Sequence, residues 1–343
     1  MIDWRVAEQV AGTVAGRPAL DALGVDLAAM ARDSAERVSA YSGLSAAGLP
    51  EAEEVDRPTW IAANVAGFRD VMGPLSERAG RNLGPAPLQV PLRAAAGLLL
   101  GVEVGALLGY LSQRVLGQYE LVLLEPNGPS RLLFVAPNLH QAIGALRADR
   151  EELIRWVALH EVTHALQFGG VPWLREHMAA LLRELLATVE VSLDASRALR
   201  LPRGDDLRAM VDAVRRGDLL GLVTSGAQRE LLDRLQTTMA VIEGYAEHVM
   251  DAVGVEVLPN LPTLRAAFDR RRRSQSAPAR LLNRLLGLEL KLRQYEEGKR
   301  FCDRVAQSHG PAALHRVWSA PSALPSTAEL ADPDGWVART ALV

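Results

Sequence analysis

The stretch "RWVALHEVTHALQFGG" sets two histidines four residues apart with a glutamate directly after the first: His160, Glu161 and His164. These residue types can hold a metal ion and break a bond with it. On an α-helix, residues four apart lie one turn above each other, so both imidazoles reach one point in space. Glu161 is rotated by about 100° from His160. It stands outside the ligand pair yet within reach of a water at the metal, which is the position of a general base. Two histidines on a buried helix can also be packed core residues. A third ligand separates the two readings.

A Zn²⁺ ion that does catalysis takes three protein ligands and leaves its fourth position to water or substrate. In "AVIEGYAEHVMD", Glu243 and Glu247 share one face of a helix whose apolar stripe runs through Leu235, Met239, Ile242, Val249 and Val253. Carboxylates beside a buried stripe are costly without a cation or donors to compensate them. Glu243 is therefore assigned as the third ligand. Glu247 is assigned to accept a hydrogen bond from the distal nitrogen of a ligating histidine. Without the upstream histidines, the same two carboxylates would read as an ordinary surface pair. His248 is a rival ligand, but it lies about 140° around the helix from Glu243.

These residues must be positioned by the elements around them. Asp149 offers an N-cap, Glu151 and Glu152 suit the first turn, and the periodic run "REELIRWVALHEVTHALQF" stops at Gly169-Gly170, so the histidines sit inside a well-bounded helix. Just upstream, "YELVLLEP" and "SRLLFVAP" are joined by Asn127-Gly128-Pro129-Ser130 and read as a hairpin, the only convincing strands in the chain. Helical periodicity fills most of the rest: residues 3–16, 23–44, 57–82, 172–199, 205–217, 227–254, a helix after the loop "LPNLPTLRAAF", and 278–310. Residues 83–92 read as a linker, and the proline-containing tail from Trp318 reads as an irregular segment packed onto the body.

Composition excludes some functions. With 38 Lys+Arg against 41 Asp+Glu, the formal charge is −3, which gives no electrostatic basis for nucleic-acid or anionic-membrane binding. The run Arg270 to Arg273 reads as a solvated helix end. Residues 92–117 are nearly uncharged over about 20 residues, a spanning length. Glu103 in their middle and the lack of a second such segment make this a buried helix, with Gly97, Gly101, Gly105 and Gly109 as a close-packing stripe. Cys302 is the only cysteine, so no intramolecular disulfide exists, and Asp3 stands where a secretory leader would carry basic residues. A cytoplasmic location is expected.

"HEVTH" followed by "EGYAEH" resembles the gluzincins, whose second helix supplies a glutamate ligand and, four residues on, an acidic residue that orients a histidine. The gap between the motifs is longer than in thermolysin-like members. More widely, "GALLGYLSQRVLGQYEL", "HEVTHALQF", "GVPWL", "EGYAEHVMD" and "LGLELKLRQYEEGKRF" resemble an actinobacterial zincin-like family of hydrolases. One branch of that family is associated with biosynthesis of the deazaflavin coenzyme F-420. The resemblance covers about residues 55 to 340 and implies a zinc ion and a mostly helical zincin-like fold, without naming a substrate.

The expectation is thus a mainly α zincin-like metallohydrolase with a short β-hairpin beside the active-site helix. Residues 1–90 form an N-terminal helical portion and 91–343 a metal-binding domain, in one continuous globule. The expected reaction is cleavage of a peptide or amide bond by a zinc-bound water, with Glu161 as base. The alternative is a non-proteolytic zinc-binding scaffold or accessory protein of deazaflavin biosynthesis. An oxyanion donor is not evident in the sequence. Tyr245 faces away from Glu243, and Tyr295, Arg300 and His309 read first as structural residues.

Overall fold

The computed structural model of the protein describes residues 2–17, 21–82, 89–120, 130–188, 226–273 and 288–341. The expected helix over 205–217, the end of the helix over 172–199, most of the first hairpin strand with its turn, and the beginning of the helix over 278–310 lie outside these residues. The described chain is mostly helical with one small sheet. It divides into two compact units. The first is made of Met1–Ala31 and Pro50–Glu161; the second takes in Arg32–Leu49, Val162–Thr188 and the described residues from Gly226 onward.

In the first unit, α1 (Trp4–Ala15) starts at Asp3, whose carboxylate accepts from the N–H groups of Arg5 and Val6. It lies along α4 (Gln89–Ser112), and the glycine stripe is the reason it can lie so close. A Cβ added at Gly101 or at Gly105 would come within 2.5 Å of the carbonyl oxygens of Asp3 and Ala7 respectively. The glycine stripe packs as expected, but the helix is not buried all round, since Leu98, Leu99, Leu100 and Val102 are exposed; among the described residues, no helix is long and apolar enough to cross a membrane.

Between α3 (Arg57–Asn82) and α6 (Arg150–Gly170) the chain forms β2 (Gly117–Glu120), β3 (Arg131–Val135) and α5 (Ala136–Leu146). The expected hairpin pairing is present: β2 runs antiparallel to β3 with Tyr119 opposite Leu132. The sheet also has a third strand that the sequence reading left out, β1 (Ala52–Val55), parallel to β3 in the order β1-β3-β2. Its sequence Ala-Glu-Glu-Val carries neither alternation nor β-branched enrichment, and only Val55 is buried. Charge holds it instead. Arg131 forks onto Glu53 at 2.7 Å and reaches Glu120 at 3.6 Å, tying the three strands together. Under the sheet, Trp60, Ile61, Val65, Leu108, Leu133 and Val135 form the core.

The second unit is built on α8 (Gly226–Val257), with α7 (Leu174–Thr188) and α10 (Leu288–His309) against it and α9 (Leu261–Arg273) following it. α8 and α10 cross in backbone contact at Gly244 and Gly298. An added Cβ at Gly298 would overlap the Ala240 carbonyl, and one at Gly244 would overlap the Gly298 backbone. Ala240, Val241, Tyr245, Phe301, Cys302 and Val305 are buried in this unit. Burial raises the Cys302 thiol well above its ordinary pKa, so it is an inert packed side chain.

The tail is more regular than its prolines suggest. After α11 (Pro311–His315) and two 3₁₀ turns come α12 (Thr327–Ala331) and α13 (Pro333–Thr340). Ser326 and Glu329 close a capping box on α12, and Pro333 occupies the first turn of α13, where its missing N–H costs nothing. Trp336 anchors the segment edge-on to Phe301 with 5.1 Å between centroids, and its indole N–H donates to the Ala323 carbonyl.

Candidate metal centre

α6 runs from Arg150 to Gly170 with Asp149 accepting from the Glu152 N–H, which makes it a single rigid carrier for the histidine pair. The division between the two units falls inside this helix, after Glu161. His160 and His164 are thus placed by one continuous element. In the second unit, His164 Nε2 lies 3.5 Å from Glu243 Oε2. His160, His164 and Glu243 together offer ligand atoms all within 4.8 Å of one another.

The donor set fits a cation. Gln167 donates through Nε2 to the Ile242 carbonyl at 3.0 Å, so its Oε1 is the atom that faces His164 Nδ1 at 2.9 Å. An amide oxygen only accepts, which assigns a proton to Nδ1 and leaves Nε2 as the ring nitrogen turned to the Glu243 carboxylate. Nε2 and this carboxylate oxygen repel at such a distance unless a cation or proton lies between them, and His164 is 9% exposed while His160 and Glu243 are half-buried.

Gln167 is the functional residue that sequence reasoning missed. Its signal was present, since it stands three residues after His164 on the same helical face. It ties the ligand helix to α8 one residue before Glu243. Replacing it with leucine removes the acceptor that fixes the His164 tautomer. The expected result is about 10- to 100-fold weaker metal binding, read by competition with a fluorescent chelator, in a chain that still folds.

Glu161 is 7% exposed and lies against β2. Its Oε2 accepts from the Tyr119 backbone N–H at 2.8 Å. Close contact requires glycine at 117, where a Cβ would stand 2.8 Å from Glu161 Cγ and 2.7 Å from Val157 Cγ1. β2 is held in turn by Gln118, whose Oε1 accepts from the Trp60 indole N–H at 2.6 Å. It is an edge strand of the sheet, so the expected β-element does flank the base.

The other sequence-marked residues are not among the clustered ligand atoms. The Glu247 carboxylate is 4.0 Å from Arg265. His248 has both ring nitrogens engaged, Nε2 with Tyr41 and Nδ1 with Asp303, and it is not among the clustered ligands. Tyr245 is fully buried against Trp318, Arg300 donates to the Glu296 carbonyl, and His309 pairs with Asp334.

A family model described as zincin-like metallopeptidase matches residues 2–337. A crystal structure from Chloroflexus aurantiacus, described as a candidate hydrolase with a novel fold, superposes with a TM-score of 0.71 at 30% identity. That match covers 99% of this chain and 98% of the other. No curated protein matches. With the histidine pair, the distant glutamate and a family match over nearly the whole chain in agreement, the protein belongs to the zincin-like metallopeptidase family.

Proposed function

We propose that the protein is a zinc-dependent hydrolase that cleaves a peptide or amide bond. The observation that carries this reading is the convergence of His160, His164 and Glu243 beside a buried Glu161. Two imidazoles and one carboxylate suit zinc by ligand type and leave a coordination position open. When bound there, zinc would acidify the attacking water and polarise the scissile carbonyl. His164 presents Nε2 because Gln167 holds its Nδ1 proton. Glu247, one turn beyond Glu243, is assigned to orient His160. Glu161 takes a proton at its carboxylate and returns it to the leaving amine, while the Tyr119 N–H fixes its orientation. A substrate at this centre meets the edge strand β2.

A second reading is a non-proteolytic zinc-binding protein, with the deazaflavin association resting on sequence resemblance. One observation favours it. Among the described side chains, Arg300 bonds the Glu296 carbonyl, His309 pairs with Asp334 and Tyr245 is buried against Trp318, so none of these oxyanion candidates is among the clustered groups.

The test is metal content by plasma mass spectrometry on protein purified without added metal, beside His160→Ala and Glu243→Ala. About one zinc per chain in the parent and none in either variant is the expected result for a three-ligand site. A metal-free parent, or zinc that survives Glu243→Ala, would refute the site as drawn.

A further inference from the structure

α8 carries a second set of ionisable groups away from its ligand face. His248, five residues past Glu243, lies about 140° around the helix from it. Its Nε2 is 2.7 Å from Tyr41 Oη on α2 (Leu27–Ser42), and its Nδ1 is 2.8 Å from Asp303 Oδ1 on α10. The other Asp303 oxygen accepts from Lys299 Nζ at 2.6 Å, and Lys299 also meets Asp251 at 3.0 Å. All five side chains belong to the second unit.

An ionised carboxylate only accepts, so the Nδ1 proton belongs to the imidazole, and neutral His248 receives the Tyr41 hydroxyl proton at Nε2. Hydroxyl, imidazole and carboxylate then stand in nucleophile, base and orienter order, each within hydrogen-bond reach. Burial works against the Asp303 charge, but the hydrogen bonds from His248 and Lys299 outweigh it and hold this carboxyl below its usual range. For Tyr41, burial and then the nearby Asp303 raise the phenol. It stays protonated at neutral pH and, like a serine, needs a base at the moment of attack.

A strut between three helices would account for these bonds alone. The surroundings hold more. The Tyr41 ring meets His315 edge-on at 5.8 Å, and His315 Nε2 is buried with no hydrogen-bond partner among the described residues. His315 contacts Tyr245, whose buried hydroxyl faces the Trp318 indole N–H without closing a bond of normal geometry. Unspent polar groups beside a base-paired hydroxyl are what a developing oxyanion requires.

We propose that Tyr41 is a second, metal-independent nucleophilic centre that accepts an acyl group from an activated ester or thioester, with His248 as its base and Asp303 as a positioning residue. Tyr41 Oη bonds to the acyl carbon as its proton passes to His248 Nε2. The bond from that carbon to the leaving oxygen or sulfur breaks, and the leaving group departs with the electron pair. His248 releases the proton to it or to water, and the product is an O-acyl tyrosine.

The test uses the full chain carrying Glu161→Gln, which silences the proposed metal-dependent hydrolysis, and 4-nitrophenyl acetate as the probe. The expected result is a burst of about one nitrophenolate per chain, with the acetyl group mapped to Tyr41 by peptide mass spectrometry. Tyr41→Phe should abolish the burst, and His248→Gln should slow it about 100-fold. Asp303→Asn, which keeps an acceptor for Nδ1–H, should slow the burst and move the midpoint of its pH profile to lower pH, because the imidazolium loses its counter-charge. That variant decides if His248→Gln fails to fold. Acetyl groups spread over lysines and other tyrosines without an excess on Tyr41 would overturn the proposal. So would a burst unchanged by Asp303→Asn.

Discussion

Glu161→Gln is expected to fold, to keep its metal, and to lose turnover by about 10²- to 10⁴-fold. The substitution is nearly isosteric and retains a side-chain oxygen for the Tyr119 N–H, so the contact with β2 survives. None of the three clustered ligand atoms belongs to this residue. What disappears is a carboxylate able to hold a proton between attack and departure of the amine. Measuring cleavage of internally quenched peptides by parent and variant at equal zinc content separates the readings. Cleavage by the parent and none by the variant supports the hydrolase. Equal cleavage would remove Glu161 from the mechanism, and an inert parent would favour the zinc-binding scaffold.

The largest effect on stability is expected at the crossing of α8 and α10. A methyl group at Gly298 meets the Ala240 carbonyl, and one at Gly244 meets the Gly298 carbonyl carbon and the Lys299 nitrogen. These are backbone atoms, so no change of rotamer relieves the overlap and the helices must part. Separation would unpack Ala240, Val241, Phe301 and Cys302, each essentially inaccessible to solvent. Gly298→Ala is expected to cost about 3 kcal/mol or to abolish cooperative unfolding in urea. Because Glu243 lies between Ala240 and Gly244 on α8, zinc binding should weaken in the same variant. Gly67, with nothing near its would-be Cβ, is the control. There, alanine should stabilise α3 by about 0.5–1 kcal/mol. A Gly298→Ala chain as stable as the parent would contradict the close crossing.

Many elements and the candidate ligands can be read from the chain because their causes are local. Asp3 and Asp149 start helices through hydrogen bonds a few residues long, and α6 ends at Gly170 as its sequence suggests. The spacing of His160 and His164 is helix geometry, as is the shared face of Glu243 and Glu247. The glycine periodicity of α4 announces a close neighbour, although not that the neighbour is α1.

Whatever depends on a partner distant in sequence was decided by packing. β1 is a strand because Arg131, 78 positions from Glu53, gives its acidic side chain a counter-charge while β3 supplies its ladder. Gln167 supports His164 only because the Ile242 carbonyl, 75 positions away, takes its amide protons and turns its oxygen toward the imidazole. His248 could be set aside as a ligand by counting degrees around a helix, but its bonds to Tyr41 and Asp303 required three helices to meet. The sequence by itself determined which residues can share a helical face, since backbone hydrogen bonds over one turn dictate that. Only the tertiary structure decided which faces meet, because that choice is made by close packing between segments whose separation along the chain carries no geometric information.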